Sequence, residues 1–219
     1  LYDANNTAIS TNFNAIKTDD ADVAVTISDS AFSANTNNNT IAAARLHAIG
    51  NATTGTVTVS NAVKITGSQS DVTAALVTEA SKVTAASALV TISDNAFANT
   101  NSTIAASDLK NIGNATSGTV TVDNLVKVTG NQADVTAALV TEASKVVFGT
   151  ANTLAEVSNA VTASQGQAIA ATTNISAAFA GGVTDSVANL YDANNTAIST
   201  NFNAIKTEDS DVAVTISDS

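Results

Sequence analysis

The chain has 219 residues, of which 19 are acidic and 8 basic, for a formal net charge of −11, and it contains no Cys, Pro, Met or Trp. An acidic balance without clustered Lys and Arg argues against nucleic-acid binding and against docking on anionic lipid. The lack of Cys excludes disulfides, and no apolar run approaches the roughly 20 residues that a membrane-spanning helix needs.

The sequence repeats itself over a long period. Leu1–Ser30 returns as Leu190–Ser219, so the two copies are offset by 190 − 1 = 189 in the numbering. They differ only at Asp19/Glu208 and at Ala21/Ser210. Because a duplication at a fixed offset is typical of repeat architectures, we expect the whole chain, 1–219, to be a window of one continuous repeat array.

A shorter period lies within the long one. Asp71–Val83 returns unchanged as Asp134–Val146, offset by 134 − 71 = 63 in the numbering. Gly50–Val59 returns at the same offset with a single change, and 3 × 63 = 189. The long unit is therefore interpreted as three related modules, at approximately 25–89, 90–146 and 147–213.

Short strands and helices alternate along the first module. Aliphatic residues alternate with others across Val23–Ile27, which predicts a strand with one apolar face. A helix is expected to start after Thr40 and to end at Gly50, in the C′ position that favours glycine. Thr56–Val59 and Val63–Thr66 alternate again and predict two further strands.

The next helix is predicted to begin with Asp71 as its N-cap and to carry Lys82 in its last turn, where the helix dipole favours a cation. The second module follows the same order, with a strand at Val90–Ile92. In the diverged third, apolar residues at helical spacing predict one long helix, Asp185–Lys206. Leu1 would then lie in the middle of the equivalent helix.

This alternation predicts an α/β repeat solenoid with about 31 residues per coil, since each module holds two strand–helix turns. Parallel strands would lie on one side and helices on the other, because parallel pairing needs a long crossover. The alternative architecture is a string of separate α+β domains of about 63 residues. The chain lacks the Pro-rich, Gly/Ser-rich or charged linkers that such domains would need, which favours the solenoid.

No arrangement of residues predicts catalysis. The one His, His47, lies near the one Arg, Arg45, and the second module has Lys110 and Asp108 at those positions. A pair of residues that the sister module lacks does not define a shared active site. We therefore interpret His47 and Arg45 as non-functional side chains on an exposed helix face. Without a Ser–His–Asp, metal–His or phosphate-loop pattern, we expect neither an enzyme nor an organic cofactor.

Two acidic stretches are the candidates for a metal site. They contain Asp19, Asp20 and Asp22 and, at the matching positions of the second copy, Glu208, Asp209 and Asp211. Hard carboxylate oxygens at this spacing could hold calcium. Because neither an EF-hand loop nor the glycine-rich nonapeptide of calcium-binding β-rolls is present, a solvated loop is the alternative interpretation.

Threonines on the outward faces of the strands are the candidate ligand-binding surface. They are Thr56 and Thr58 in the first module and Thr119 and Thr121 in the second. Ranks of Thr on a flat, regular sheet are suited to binding ice or glycans. The alternative is that Thr simply has a high β-propensity on a half-exposed face, and Lys64 and Lys127 interrupt any regular array.

Modules that pair VTIS strands with GTVTV, VK[I/V]TG and DVTAAL segments resemble the tandem arrays of giant bacterial cell-surface and extracellular proteins, marine cyanobacteria included. The resemblance covers nearly the whole chain and rests on repeat style and composition. It implies a secreted, very long polypeptide located at the cell surface, which acts as a filament, stalk or adhesin shaft. It carries over no individual functional residue.

The sequence therefore predicts a non-catalytic structural repeat segment. Its expected partners are neighbouring repeats of the same chain and identical chains in a fibre, with no nucleic acid and no membrane insertion. One alternative is a glycan- or ice-binding module that uses the Thr-rich face. Another is a surface-layer lattice protein whose subunits are bridged by calcium.

Overall fold

The computed structural model describes residues 1–3, 8–33, 40–97, 102–141, 146–149, 153–194 and 196–218. The fold is of mixed α/β type, with helices and parallel sheets. It divides into two compact units. Unit 1 comprises Leu1–Ser93 and Asn111–Thr121, and unit 2 comprises Asp94–Lys110 and Val122–Ser219.

Unit 1 begins with a helix and continues with alternating strands and helices. Its elements are α1 (Thr11–Asp19), β1 (Val25–Ile27), β2 (Thr40–Ala42), α2 (Ala43–Ala52), β3 (Val57–Val59), β4 (Lys64–Gly67), α3 (Gln69–Leu76), β5 (Val83–Thr84) and β6 (Leu89–Ile92). A 3₁₀ turn, Glu79–Ser81, lies between α3 and β5. The division between the units falls within α4 (Ala106–Ala115) and β8 (Val120–Val122).

The strands of unit 1 form parallel ladders. One sheet has the order β1-β3-β5, with Thr58 of β3 paired to Thr26 on one side and to Thr84 on the other. In a second ladder β4 lies between β2 and β6. The far edge of β6 meets the chain that leads into β8, where the Val90 N–H donates to the Thr119 carbonyl oxygen over 2.9 Å.

Unit 2 contains the remaining elements. They are β7 (Thr103–Ala105), β9 (Lys127–Gly130), α5 (Gln132–Val135) with a π-helical continuation (Thr136–Val140), β10 (Val146–Phe148), β11 (Thr153–Val157), α6 (Ala163–Ala170), β12 (Ile175–Ala178), β13 (Val183–Asp185), α7 (Val187–Leu190), α8 (Thr200–Glu208) and β14 (Val214–Ile216). One parallel sheet has the order β12-β11-β9-β7, and a second pairs β13 with β14.

Alternation along the strands explains where the core lies. Val57 and Val59 of β3 are buried while Thr58 between them is exposed, as the side-chain period of two requires. Burying a Val or Ile side chain contributes roughly 1.5–3 kcal/mol, so the inward-facing residues of each short strand stabilise the core. The strands predicted around Val25, Val57, Ile65 and Val90 are thus confirmed.

The chain length between paired strands is not constant. Val25 pairs with Val57, a step of 57 − 25 = 32 in the numbering, but Thr153 pairs with Ile175, a step of 175 − 153 = 22. Between Ile65 and Val90 the step is 90 − 65 = 25. The prediction of parallel sheets with helical connections is confirmed, whereas a uniform coil of about 31 residues is not.

The start of α3 differs from the predicted one. The N-cap is Ser68, whose Oγ accepts the Asp71 N–H over 3.2 Å, so Asp71 lies inside the first turn. The helix ends at Leu76, and Lys82 follows the 3₁₀ turn in a left-handed conformation with φ of 55°. The prediction failed because Ser at the N-cap with Asp three residues later satisfies two polar groups at once.

The end of α2 also differs, since Gly50 lies within the helix rather than beyond it. A Cβ at Gly50 would overlap the carbonyl oxygen of Ser81. Glycine is therefore required here for close approach of α2 to the 3₁₀ turn, not for a left-handed C-cap. Thr40, predicted to precede the helix directly, begins β2 instead.

The long helix predicted over Asp185–Lys206 is wrong. Asp185 ends β13, and the rest forms α7 and α8 around a turn closed by an isolated antiparallel bridge between Tyr191 and Ile198. The Asp192 carboxylate accepts the Thr196 N–H over 2.8 Å, which offers the backbone an alternative to the helix. Leu1 accordingly precedes a similar bridge and lies in no helix.

Candidate functional site

A row of three threonines crosses the sheet β1-β3-β5. Thr26, Thr58 and Thr84 occupy paired positions on adjacent parallel strands, and all three side chains are exposed. Paired residues of a parallel sheet lie on the same face, about 4.8 Å apart. The row therefore presents three hydroxyls and three methyl groups at regular spacing, a surface suited to hydrogen bonding with a flat polar ligand.

The four threonines predicted from the sequence are divided between two sheets. Thr58 belongs to β3, whose neighbours are β1 and β5, while Thr121 belongs to β8, whose neighbour in unit 1 is β6. Thr56 and Thr119 lie just before these strands, and both are exposed. Thr121 is half-buried. The expectation of one regular sheet carrying all four is wrong, because β6 pairs with β4 and β8 rather than extending the first sheet.

The sequence analysis overlooked Thr26 and Thr84. The signal was present, since Thr26 lies between two aliphatic residues of a predicted strand and Thr84 follows Val83. Their alignment with Thr58 could not be read from the sequence, because the steps between the paired strands, 57 − 25 = 32 and 83 − 57 = 26 in the numbering, differ.

The lysines of β4 and β9 are engaged with neighbouring side chains. Lys64 Nζ lies 5.6 Å from the centre of the Phe32 ring. In unit 2, Lys127 Nζ lies 5.9 Å from the Phe97 ring centre and 2.6 Å from Glu156 Oε2. A cation over an aromatic face is attracted to the ring, so both lysines have a structural role in joining strands to loops.

The acidic stretches are placed differently in the two copies. The Asp209 carboxylate accepts the Phe179 N–H over 2.7 Å, and Glu208 Oε2 lies 3.4 Å from the Ala177 nitrogen. In the first copy, a hydrogen bond between the side chains of Asp20 and Asp22 raises the pKa of Asp20, because it favours the protonated form. In the second copy, Glu208 and Asp209 thus accept hydrogen bonds from the backbone.

Calcium binding by these stretches stays a prediction. Among the residues that the structure describes, no group of three or more His, Cys, Asp or Glu side chains is arranged to hold a metal ion. Asp19, Asp22 and Asp211 are exposed, as the solvated-loop interpretation expects.

Asp185 is a buried carboxylate at the end of β13. It accepts the Ala163 N–H over 2.9 Å, the Ser186 N–H over 2.9 Å and the Asn189 side-chain N–H over 2.7 Å. Burial opposes its ionisation, but these three hydrogen bonds outweigh that effect and lower the pKa of Asp185. These contacts hold the first residue of α6 and the start of α7, so Asp185 is a structural anchor for both helices.

His47 is not the exposed side chain that the sequence predicted. Its Nδ1 lies 3.0 Å from the carbonyl oxygen of Ala74, and its Nε2 lies 2.8 Å from the Asn51 amide nitrogen. The tautomer with its proton on Nδ1 satisfies both contacts, so the half-buried ring ties α2 to α3. The prediction failed because this face of α2 packs against α3 instead of facing solvent.

A pocket of about 360 Å³ lies in unit 1. Its wall includes Tyr2, Ile27, Asp29 and Arg45. The Tyr2 hydroxyl donates to the Arg45 carbonyl oxygen over 3.2 Å, and the Arg45 guanidinium lies 5.8 Å from the Tyr2 ring centre. Burial raises the pKa of Tyr2. These contacts tie the first residues to α2 and bring together no acid–base pair suited to proton transfer.

The chain matches no family model, and no curated protein or solved structure shows significant similarity to it. Within the described ranges, none of the helices combines the length and apolar character that crossing a membrane requires.

Proposed function

We propose that the chain is a structural repeat segment of an extracellular filament or adhesin shaft at the cell surface, without a catalytic role. Its mechanism is geometric, since parallel strands stacked coil upon coil give length and stiffness. Coils that follow the spacings of the paired strands would vary between about 22 and about 32 residues.

One observation carries the proposal: β6 is hydrogen-bonded along both of its edges. The Ser93 N–H donates to Gly67 O over 2.8 Å, and the Val90 N–H donates to Thr119 O over 2.9 Å. A strand held between an earlier and a later strand of the same chain is the element from which a solenoid is built. The acidic, Cys-free composition is compatible with a soluble extracellular protein.

The location is tested on the native cells. An antibody against the repeat should label intact cells, and brief external protease treatment should remove the label before cytoplasmic proteins are cut. Electron cryo-microscopy of the released material should show fibres with a repeat of about 4.8 Å along the axis. Label that appears only after lysis, or beads spaced several nanometres apart without a strand repeat, would contradict the proposal.

The exposed row Thr26–Thr58–Thr84 favours a second candidate, a module that binds glycan or ice. The test is glycan-array binding and thermal hysteresis of the full chain. A Thr58→Tyr variant should lose either activity, because the bulky side chain lies at the centre of the row. Thr119→Tyr is the matched control, since Thr119 is exposed but lies outside that sheet. No binding by the parent chain, or equal loss in both variants, would exclude this candidate.

A further inference from the structure

The sequence Val-Thr-Ile-Ser occurs three times, as Val25–Ser28, Val90–Ser93 and Val214–Ser217, and has different neighbours each time. In the middle occurrence both edges of the strand are paired, through Val90 on one edge and Ser93 on the other. This occurrence shows the complete environment of the sequence.

The first occurrence, in β1, is paired along one edge. The Val25 N–H donates to Thr56 O over 2.8 Å, and Ile27 O accepts the Ser60 N–H over 3.0 Å. This matches the Val90 side of the middle occurrence, where the following Gly-Thr-Val-Thr-Val segment lies. In the order β1-β3-β5, β1 is the edge strand of the part of the sheet that the structure describes.

The last occurrence, in β14, is paired along the opposite edge. The Ser217 N–H donates to Asp185 O over 3.0 Å, and Ala213 O accepts the Val183 N–H over 2.8 Å. Backbone groups of successive residues point to opposite edges of a strand. Ala213 and Ser217 correspond to residues 24 and 28 of the first copy. Their backbone N–H and C=O groups therefore point to the edge opposite the one through which Val25 and Ile27 are hydrogen-bonded.

Side-chain burial follows the same division. Ile27 and Ile92 are 5% and 0% exposed, whereas the equivalent Ile216 is 58% exposed. For the helices the relation is reversed, since Ile16 of α1 is 52% exposed and its equivalent Ile205 of α8 is 0% exposed. Ile205 packs against Gly166 of α6, so closely that a Cβ on Gly166 would overlap it.

We propose that Leu1–Ser30 and Leu190–Ser219 are the two halves of one junction, whose partner is a second copy of this chain's own period. A Gly55–Val59 segment of that copy would pair with the open edge of β14 and cover Ile216. At the other end, a segment equivalent to α6 and β13 would cover Ile16 and pair with β1. This inference rests on the proposed function only in assuming stacked repeats, and it is independent of cell-surface location.

Physical reasons favour this partner over an unrelated one. Open strand edges with apolar faces are templates for pairing. The strand edge and the isoleucine that are exposed in one copy are paired and buried in the other copy of the same sequence. The two copies differ only at Asp19/Glu208 and Ala21/Ser210, so the contacts seen at one end are available at the other. The middle occurrence shows that a single Val-Thr-Ile-Ser strand accommodates both neighbours at once.

The experiment appends the sequence of residues 31–93 directly after Ser219 of the full chain and follows amide hydrogen exchange. Hydrogen exchange at the amides of Val214 and Ile216 should slow on the order of a hundredfold, because these amides become hydrogen-bonded as the Val25 amide is. The Ser217 amide, already bonded to Asp185, is the internal control and should change little. A chain of the same length with the appended residues shuffled is the matched control.

Unchanged exchange at Val214 and Ile216, with the appended segment folded by circular dichroism, would overturn the proposal, as would equal slowing by the shuffled segment. A second measurement covers failure of that segment to fold. The sequence of residues 157–189 is placed before Leu1 in an Ile16→Cys chain, and maleimide labelling is timed. The thiol should react at least about tenfold more slowly than without the added segment, because its site becomes buried. Equal rates would refute the junction.

The two proposals fail in different ways. A protein found only inside cells would exclude the filament function and leave the exchange result intact. A protein at the cell surface whose β14 amides stay fast in the extended chain would exclude the junction and leave the proposed location intact.

Discussion

The thirteen residues DVTAALVTEASKV occur in both units, and their first part has a different helical winding in each. In the first copy they continue α3 as a regular α-helix to Leu76. In the second copy the helix changes after Val135 into a π-helical turn, Thr136–Val140. Since the sequence is identical, local propensity cannot explain the difference. It teaches that the packing partner decides the winding of a short helix whose own preferences are weak.

The start of the helix is alike in both copies. Ser68 and Asn131 both cap it, each accepting the N–H of the Asp three residues later. The contacts with the preceding helix differ. His47 of α2 bonds to the Ala74 carbonyl, whereas at the same position of α4 Lys110 Nζ lies 2.6 Å from Asp134 Oδ1.

The diverged third module uses the equivalent Asp in yet another way. Asp185 keeps the spacing from glycine that Asp71 has, but it is buried and bonds to the first residue of α6. The equivalent carboxylate thus bonds to the N-cap serine in the first module, to a lysine of the preceding helix in the second and to a helix N-terminus in the third.

The largest expected effect is that of Gly50→Ala, which would break the approach of α2 to the 3₁₀ turn of the first copy. The added Cβ would overlap the Ser81 carbonyl, which is backbone and cannot move aside cheaply, so the cost should exceed the about 1–3 kcal/mol that overpacking typically brings. Better helix propensity of Ala would offset up to about 1 kcal/mol. Urea unfolding measures the loss.

Gly149→Ala is the control, since a Cβ there meets its nearest atom at 3.5 Å, an ordinary contact. Equal stability of both variants would contradict the close approach. Gly113→Ala then sharpens the comparison, because it tests whether the second copy needs glycine at the equivalent position.

Asp185→Ala should destabilise unit 2 by about 1–3 kcal/mol, because the buried N–H of Ala163 and the half-buried N–H of Ser186 lose their acceptor. Since the folded pKa is lowered, the stabilisation is complete above the unfolded value near 3.8 and is lost as the pH falls through the folded pKa. Urea unfolding at neutral and acid pH measures both effects.

Asp211→Ala, which removes an exposed carboxylate of the same unit, should leave stability nearly unchanged. If the two variants were equally stable, or if the destabilisation by Asp185→Ala did not shrink at acid pH, Asp185 would not be the anchor described.

Lys110→Gln should raise the pKa of Asp134, because the hydrogen bond from Lys110 is the main cause that lowers it. Carboxyl NMR titration of the full chain measures this shift. Asp192 is the internal control, since Thr196 rather than a lysine lowers its pKa. A titration of Asp134 that does not move would mean that Lys110 is not its partner in solution.

The smallest effect is expected for His47→Lys, which gives the first copy the residue of the second. The new ammonium should pair with Asp71, and exposed pairs contribute about 0–1 kcal/mol, against which the bond to Ala74 is lost. The net change in stability is therefore near zero, but it should become salt-dependent. Unfolding at low and high ionic strength tests this, and a salt-independent result would show that Asp71 is out of reach.

The sequence determined the periods, the parallel α/β class and the positions of the short strands, because alternation of Val and Ile with Thr specifies which face is buried wherever the strand lies.

Tertiary structure alone decided the rest. Gly50 and His47 were misread because their contacts come from Ser81 and Ala74, which lie far along the chain. The row of Thr26, Thr58 and Thr84 depends on a register across unequal spacings. Identical residues at Ile27 and Ile216 are buried in one place and exposed in the other. Burial depends on the strands and helices that pack against a residue, and those lie outside the segment whose pattern is being interpreted.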